Sequence, residues 1–483
     1  MLEQRRFSRR GLILLTTGFV SLGLLYHLLA KKTNLLAIAP AYSPFSSRIC
    51  GSKGRICPQD ESDALQLASL GDNSGASDQL SCSPRDYANG TWVFQPPAPG
   101  TVPERMGNEW DALAFAGFEG CASTREVHWH MASNNEGQWD RFPNVTSWRW
   151  KPGKGCRGLE GWDREKVVRD LVERGGWLIV GDSVSEQHFF SLSCLLYPHV
   201  IATPNYYEVD LKRDAVQNMY LNPESPLAAR LSFPTGFEID KTPLVTFRRV
   251  DILYSQDELV QMHHDYYPSF PSSENLFSDE KTWSLSPEVY LDTFTAPLPL
   301  ANYATMIVST GGHWTTSLFS GYRNPLKEGM GVDGVVSFFD DVAKRWTLHV
   351  QQRLWSDQAE DSFVAPGRSP WVEGGRRKRR VIVRPYLPGH PDCHKRREPS
   401  QEVEVLDHEV YNWKHIWKYN HIFESILSNR RAYPDIHYLP IDRPGRLRPD
   451  AHATGDCLHI MTGAGVLEGW SHYISHFLAE QKQ

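Results

Sequence analysis

Trp177-Leu178-Ile179-Val180-Gly181-Asp182-Ser183-Val184-Ser185-Glu186-Gln187-His188 is the stretch on which the reading of this chain turns. Its four opening apolar residues predict a short, fully buried strand. Gly181 permits a tight turn, and Asp182 or Ser183 can cap a helix running to about Leu196. A strand, a turn and a helix in that order present a serine at the carboxyl end of a parallel sheet, where open α/β folds place their sites. Ser183 then lies beside the unpaired N–H groups of a helix start, which can stabilise an oxyanion. The same residues also read as an ordinary Ser/Asp helix cap. A Gly-Asp-Ser triplet arises by chance about 0.1 times in a chain of this length.

A reactive serine needs a base. Gly455-Asp456-Cys457-Leu458-His459 offers one near the other end of the chain, ahead of a helical stretch. His459 can take the Ser183 proton, and Asp456, three residues earlier, can orient the imidazole. Taken alone, this block reads equally as a capped helix start with a surface histidine.

The Gly-Asp-Ser and Asp-x-x-His blocks resemble the PC-esterase group of the SGNH hydrolase superfamily. They are most similar to the plant trichome-birefringence-like polysaccharide O-acetyltransferases and their fungal relatives. Further blocks fit in order. Cys82 to Val93, with Gly90 and Trp92, resembles the family's opening, and Trp148-Arg149-Trp150-Lys151-Pro152 with Gly155-Cys156 resembles its next segment. Thr310-Gly311-Gly312-His313-Trp314 resembles its Asn-Thr-Gly-His-Trp block, and Arg448-Pro449-Asp450-Ala451-His452 the Arg-x-Asp-Gly-His that precedes Asp-x-x-His. The resemblance runs from about residue 80 to the C-terminus. It implies disulfides Cys82–Cys156, Cys121–Cys194 and Cys393–Cys457, the last tying the Asp456–His459 loop to a distant segment. The plant proteins usually carry one more pair, with a member just after the histidine; Met461 stands there instead.

Residues 11–30 contain no Asp, Glu, Lys or Arg and are long enough to cross a bilayer. Arg5, Arg6, Arg9 and Arg10 precede them, and Lys31 and Lys32 follow. The positive-inside rule then predicts a cytoplasmic tail over 1–10 and a single-pass type II anchor over 11–30, His27 lying near its end. The other reading is a cleaved signal peptide, with Ala37-Ile38-Ala39 as a small-residue site. Residues 31–80, rich in Ser, Gly, Asp and Pro, read as a luminal stem in which Cys50 and Cys57 can close a local loop. Eight spread cysteines without a Cys-x-x-Cys pair argue against zinc and for disulfides in an oxidising lumen. Asn89 and Asn144 head glycosylation sequons.

The chain beyond the stem reads as an N-terminal lobe, 81–170, packed on a catalytic α/β domain, 171–483. The expected architecture is three-layered, with a central parallel sheet, as the SGNH resemblance implies. Further buried strands are expected at Leu244–Phe247, Thr305–Ser309, Val381–Tyr386 and Ile436–Leu439, and helices at Asp340–Leu354 and Trp413–Leu427. A last helix carries Val466, Trp470, Ile474 and Leu478 as a core-facing stripe. Arg376 to Arg380 form a basic run, read as a solvated loop before a strand; a processing site or a glycan-attracting arm are the alternatives. A net charge of −6 argues against nucleic acid as a partner.

The expected activity is luminal O-acetyl transfer to a glycan. Ser183 is the nucleophile, His459 the base and Asp456 its orienting group. Gly311 and Gly312 serve the oxyanion, with His313 and Trp314 as a cleft wall. His313 and Trp314 also read as buried structural residues. Arg448, Asp450 and His452 belong to the substrate side, or else brace a loop, Arg448–Asp450 being then a surface pair. No metal or bound cofactor is expected. The acetyl donor is acetyl-CoA or an acetyl group delivered through the membrane by a multi-span transporter. The membrane is engaged through 11–30, and the compartment is the Golgi. An esterase with the same triad, or an inactive glycan-binding protein, are the rival readings.

Overall fold

A computed structural model describes residues 80–203, 216–270, 275–364, 378–407 and 410–481. They belong to one compact unit. Among the described residues the strands are β1 (Thr91–Phe94), β2 (Trp148–Lys151), β3 (Gly176–Gly181), β4 (Val200–Ala202), β5 (Val216–Leu221), β6 (Val245–Arg249), β7 (Tyr303–Ser309), β8 (Arg380–Val383) and β9 (Ile436–Tyr438). Its longer helices are α1 (Arg164–Glu173), α2 (Ser183–Leu195), α3 (Gln256–Tyr266), α4 (Pro287–Thr295), α5 (Val332–Val364), α6 (Ile416–Leu427) and α7 (Val466–Glu480).

Seven strands form one sheet in the order β4-β5-β6-β3-β7-β8-β9. The five from β6 to β9 are parallel, and β4 and β5 extend the sheet antiparallel at one edge. The parallel strands read as continuous apolar runs because helices cover both of their faces; every residue of β3 is buried. The chain starts at β3, steps to β6 on one side, then returns to β7 on the other. That reversal opens a crevice at the carboxyl ends of β3 and β7. α3 and α4 pack on α5, and the right-handed crossover rule assigns that group to the face opposite α2. α7 packs on α2, and α6 packs on α5.

The strand expectations at 177–180, 244–247, 305–309, 381–386 and 436–439 correspond to β3 and β6–β9. β8 stops at Val383 because Pro385 has no N–H to continue a ladder. β4 and β5 were not expected. Val216–Leu221 buries alternate residues only, so Gln217 and Asn218 dilute its apolar signal. The helix expected over 340–354 extends through Val332–Val364. The one expected from Trp413 begins at Ile416, after a 3₁₀ turn broken by left-handed Tyr411 and Asn412.

The 81–170 segment shares its core with the rest. β1 and β2 pair antiparallel, and Trp92 Nε1 donates to Pro444 O at 2.9 Å. Cys82, Tyr87 and Trp92 join the main apolar cluster; Met106, Phe115 and Phe142 join a second one with Phe190, Cys194 and Met461. The three implied disulfides, Cys82–Cys156, Cys121–Cys194 and Cys393–Cys457, are all present and point to an oxidising compartment. Asn89 and Asn144 are exposed.

Among the described residues no helix is long and apolar enough to cross a membrane. The 11–30 anchor, the tail and stem up to residue 79, Cys50 and Cys57, and Arg376 and Arg377 lie outside the described residues. The described part of the basic run leads straight into a strand, with Lys378 exposed and Arg379 turned inward. Arg379 is buried on Asp357, Arg380 opens β8, and Lys378 pairs with Asp435 at 3.0 Å.

Candidate active site

The corner after β3 is shaped by contact. A side chain at Gly181 would strike Ser185 Oγ and the Ser309 carbonyl, so only glycine lets the turn form against β7. Asp182 then caps α2, its Oδ1 accepting from Val184 N–H at 3.0 Å. Ser183 is the first residue of α2, so its own N–H has no helical acceptor. The hydroxyl and a free N–H therefore emerge together at the crevice between β3 and β7.

The loop before α7 meets that corner. Ser183 Oγ lies 2.7 Å from His459 Nε2, and His459 Nδ1 lies 2.7 Å from Asp456 Oδ2. Asp456 Oδ1 accepts the backbone N–H groups of Leu458 and His459, both at 2.9 Å. Burial alone would raise the Asp456 carboxyl. The bond and charge of His459 and the two N–H donors outweigh it and hold the group below its usual range. The loop is fastened by the Cys393–Cys457 disulfide. Cys393, His394 and Cys457 are of metal-ligating type and lie within reach of one another, but the two sulfurs are bonded together, which leaves no thiolate for an ion.

The remaining expected site residues divide. Gly311 and Gly312 lie just past β7, with Tyr386 packed where their side chains would stand: a Cβ on Gly312 would collide with the Tyr386 hydroxyl, so glycine lets the ring close on the backbone there. His313 is part-exposed, with Nε2 3.8 Å from Asp251 Oδ1. Trp314 is no cleft wall: it is fully buried, donates Nε1–H to Thr310 Oγ1 at 3.2 Å and stacks on Phe319. Its size and apolar surface win it a place in the core instead.

Arg448 and Asp450 are not on the substrate side, nor are they a surface pair. Both are buried and joined by two bonds of 2.9 Å, and Arg448 Nη2 donates to Val145 O at 2.6 Å. They brace the 81–170 segment against the histidine loop. His452 is likewise buried and holds that loop from behind: Nδ1 lies 3.1 Å from the His459 carbonyl, and Nε2 2.7 Å from His390 Nδ1.

Several residues beside the serine carry no sequence motif. Glu186, one turn along α2, is buried in an ion pair with Arg125 and lies 3.9 Å from Arg249. Burial raises its carboxyl against the pull of Arg125 and Arg249. Arg249 reaches Asp251 at 3.1 Å, and burial raises the Asp251 carboxyl too. The i, i+3 spacing of Ser183 and Glu186 was available as a signal, as was the carboxylate of Asp251 just past an expected strand. Arg125 and Trp129 had none. Trp129 meets the His459 ring at 5.1 Å between centroids. Comparison of the chain with protein-family models and with curated proteins finds no match.

Proposed function

We propose that this protein is an O-acyltransferase that moves an acetyl group onto a carbohydrate hydroxyl through an acyl-serine at Ser183. The observation that carries the reading is the continuous Ser183–His459–Asp456 hydrogen-bond chain at the sheet crevice. Nothing else in a helix-capping role asks a serine hydroxyl to face an imidazole that is itself aligned by a carboxylate. The motif resemblance to the trichome-birefringence-like group supplies the acetyl group and the polysaccharide acceptor.

His459 Nε2 takes the Ser183 proton as Oγ bonds to the donor's acyl carbon. The Ser183 N–H, free at the start of α2, donates to the developing oxyanion. As the intermediate collapses, the bond to the leaving group breaks and His459 returns the proton to it. A sugar hydroxyl then gives its proton to the same imidazole and attacks the acyl carbon. Collapse reforms Ser183 Oγ–H and releases the acetylated sugar. Asp456 keeps Nδ1 protonated and stabilises the imidazolium.

The three disulfides and the charge pattern flanking 11–30 support a type II placement with the catalytic unit in the Golgi lumen. The donor there is acetyl-CoA or an acetyl group passed in by a multi-span partner. The test uses the full-length chain, a labelled acetyl donor and a glycan panel, with Ser183→Ala alongside. Acetylated glycan formed only with Ser183 intact is the expected result. Release of acetate without acetylated glycan would make it an esterase. Glycan binding indifferent to Ser183→Ala, with no turnover, would make it a lectin-like protein.

A further inference from the structure

Among the described residues, Trp129 is the aromatic side chain whose ring contacts the His459 imidazole, edge to face at 64°. It sits on Val127–His130, a single turn set between two left-handed residues that are not glycine, Glu126 (φ 47°) and Ala132 (φ 53°). Such backbone is strained and survives only where the surroundings over-determine it. Here they do so from two sides. The Cys121–Cys194 disulfide, the Ser123 N–H donating to Ser193 Oγ at 3.2 Å and the Arg125–Glu186 pair bind the segment to α2. Trp129 Nε1–H donating to Thr454 O at 2.8 Å, and Thr462 N–H donating to His130 O at 2.8 Å, bind it to the histidine loop. The fold spends strain to hold one part-exposed indole against the base.

An acceptor hydroxyl must come within about 3 Å of His459 Nε2 to lose its proton. The sugar ring that carries it then overlaps whatever flanks the imidazole. Trp129 is that flank, and an indole face suits the C–H face of a pyranose. The neighbouring His128 touches Trp110 at 4.5 Å, and Trp110 is 57 % exposed. Trp283 offers no comparable surface, since Arg249 covers its ring at 3.8 Å. The segment that carries Trp110 and Trp129 is acidic. Residues 104–140 hold seven Asp and Glu against two Arg; Arg164 pairs with Glu119, Arg397 with Asp140 and Arg125 with Glu186, which still leaves carboxylates in excess, Glu109 lying 3.4 Å from His128.

We propose that Trp129 and Trp110 form the acceptor subsite, stacking successive rings of a neutral pyranose glycan and disfavouring uronate-rich ones. The acetylated ring lies on Trp129 and the next lies toward Trp110. This rests on the acyl-transfer reading of Ser183, so the test separates the two. In full-length Ser183→Ala protein, calorimetry should detect xylohexaose or cellohexaose binding and little binding of hexagalacturonate. Trp129→Ala and Trp110→Ala should each weaken hexaose binding about tenfold. Should Trp129→Ala fail to fold, Trp110→Ala, on the exposed rim, carries the test alone. With Ser183 intact and 4-nitrophenyl acetate as donor, the partition of acetyl between xylohexaose and water should fall about tenfold in Trp110→Ala. Unchanged hexaose binding and partition in that variant, or tighter binding of hexagalacturonate, overturns the subsite. Tryptophan-dependent binding without Ser183-dependent release of 4-nitrophenol would keep the subsite and sink the transferase reading.

Discussion

Ser183 and His459, 276 positions apart in the chain, place Oγ and Nε2 2.7 Å from each other. The contact joins the start of α2 to the loop before α7, and α7 packs on α2, so the two halves of the site share one rigid support. Asp456 completes it from within the same loop.

Asp456→Asn keeps the shape of the loop but removes the charge that favours the Nδ1–H tautomer. Its kcat for transfer should fall by on the order of 10³–10⁴, with the melting temperature little changed. Steady-state kinetics beside a thermal melt read both. A loss below tenfold would mean that His459 is not oriented by this carboxylate.

Arg448→Met leaves Asp450 as an unpaired buried charge and frees the Val145 and Ala464 carbonyls that Arg448 holds. A cost of about 3–5 kcal/mol is expected, against under about 1 for a surface pair. Urea unfolding of the wild type and the variant measures it. The double variant Arg448→Met with Asp450→Leu should recover part of the loss.

Cys393 and Cys457 close a separation of 64 residues, and Cys457 follows Asp456 directly. Replacing both with serine should cost about 4 kcal/mol through the unfolded chain's regained freedom. Activity should fall more steeply than folded fraction, because the Asp456 carboxylate and the His459 imidazole ride on the freed loop. Activity normalised to folded protein, by circular dichroism, separates the two effects.

Acid should destabilise the fold from near neutrality. Burial, with the Arg125 and His459 charges, holds His130 at about 3, and burial with the Arg384 charge holds His188 at about 3. An unfolded histidine titrates near 6.5, so between those values the unfolded chain binds protons that the native one refuses. Stability is therefore complete above about 6.5 and falls as pH drops, by up to about 1.4 kcal/mol per unit for each group. Asp456, held below the usual carboxylate range, adds loss in the same direction at lower pH. Urea midpoints at pH 7 and pH 5 should differ, and His188→Gln should narrow the gap. Equal midpoints would contradict the buried neutral state.

Much of the sheet was legible because a parallel strand covered on both faces must be apolar at nearly every position, as Trp177–Val180 and Met306–Val308 are. Glycine at 181 before a serine marked the corner for the same local reason: only it tolerates the close approach of β7. Side-chain type could not tell which polar residues face the crevice and which brace it from behind. Trp314, Arg448, Asp450 and His452 have the composition of a site, yet burial makes them supports, because their partners come from segments remote in the chain. Trp129 is the converse case. Nothing in its local sequence distinguishes it, and its place against His459 exists only because a disulfide, an ion pair and three hydrogen bonds converge on one strained turn. Local order and the serine at the sheet corner were written in short-range pattern; the company they keep was decided by long-range packing, which no window of sequence contains.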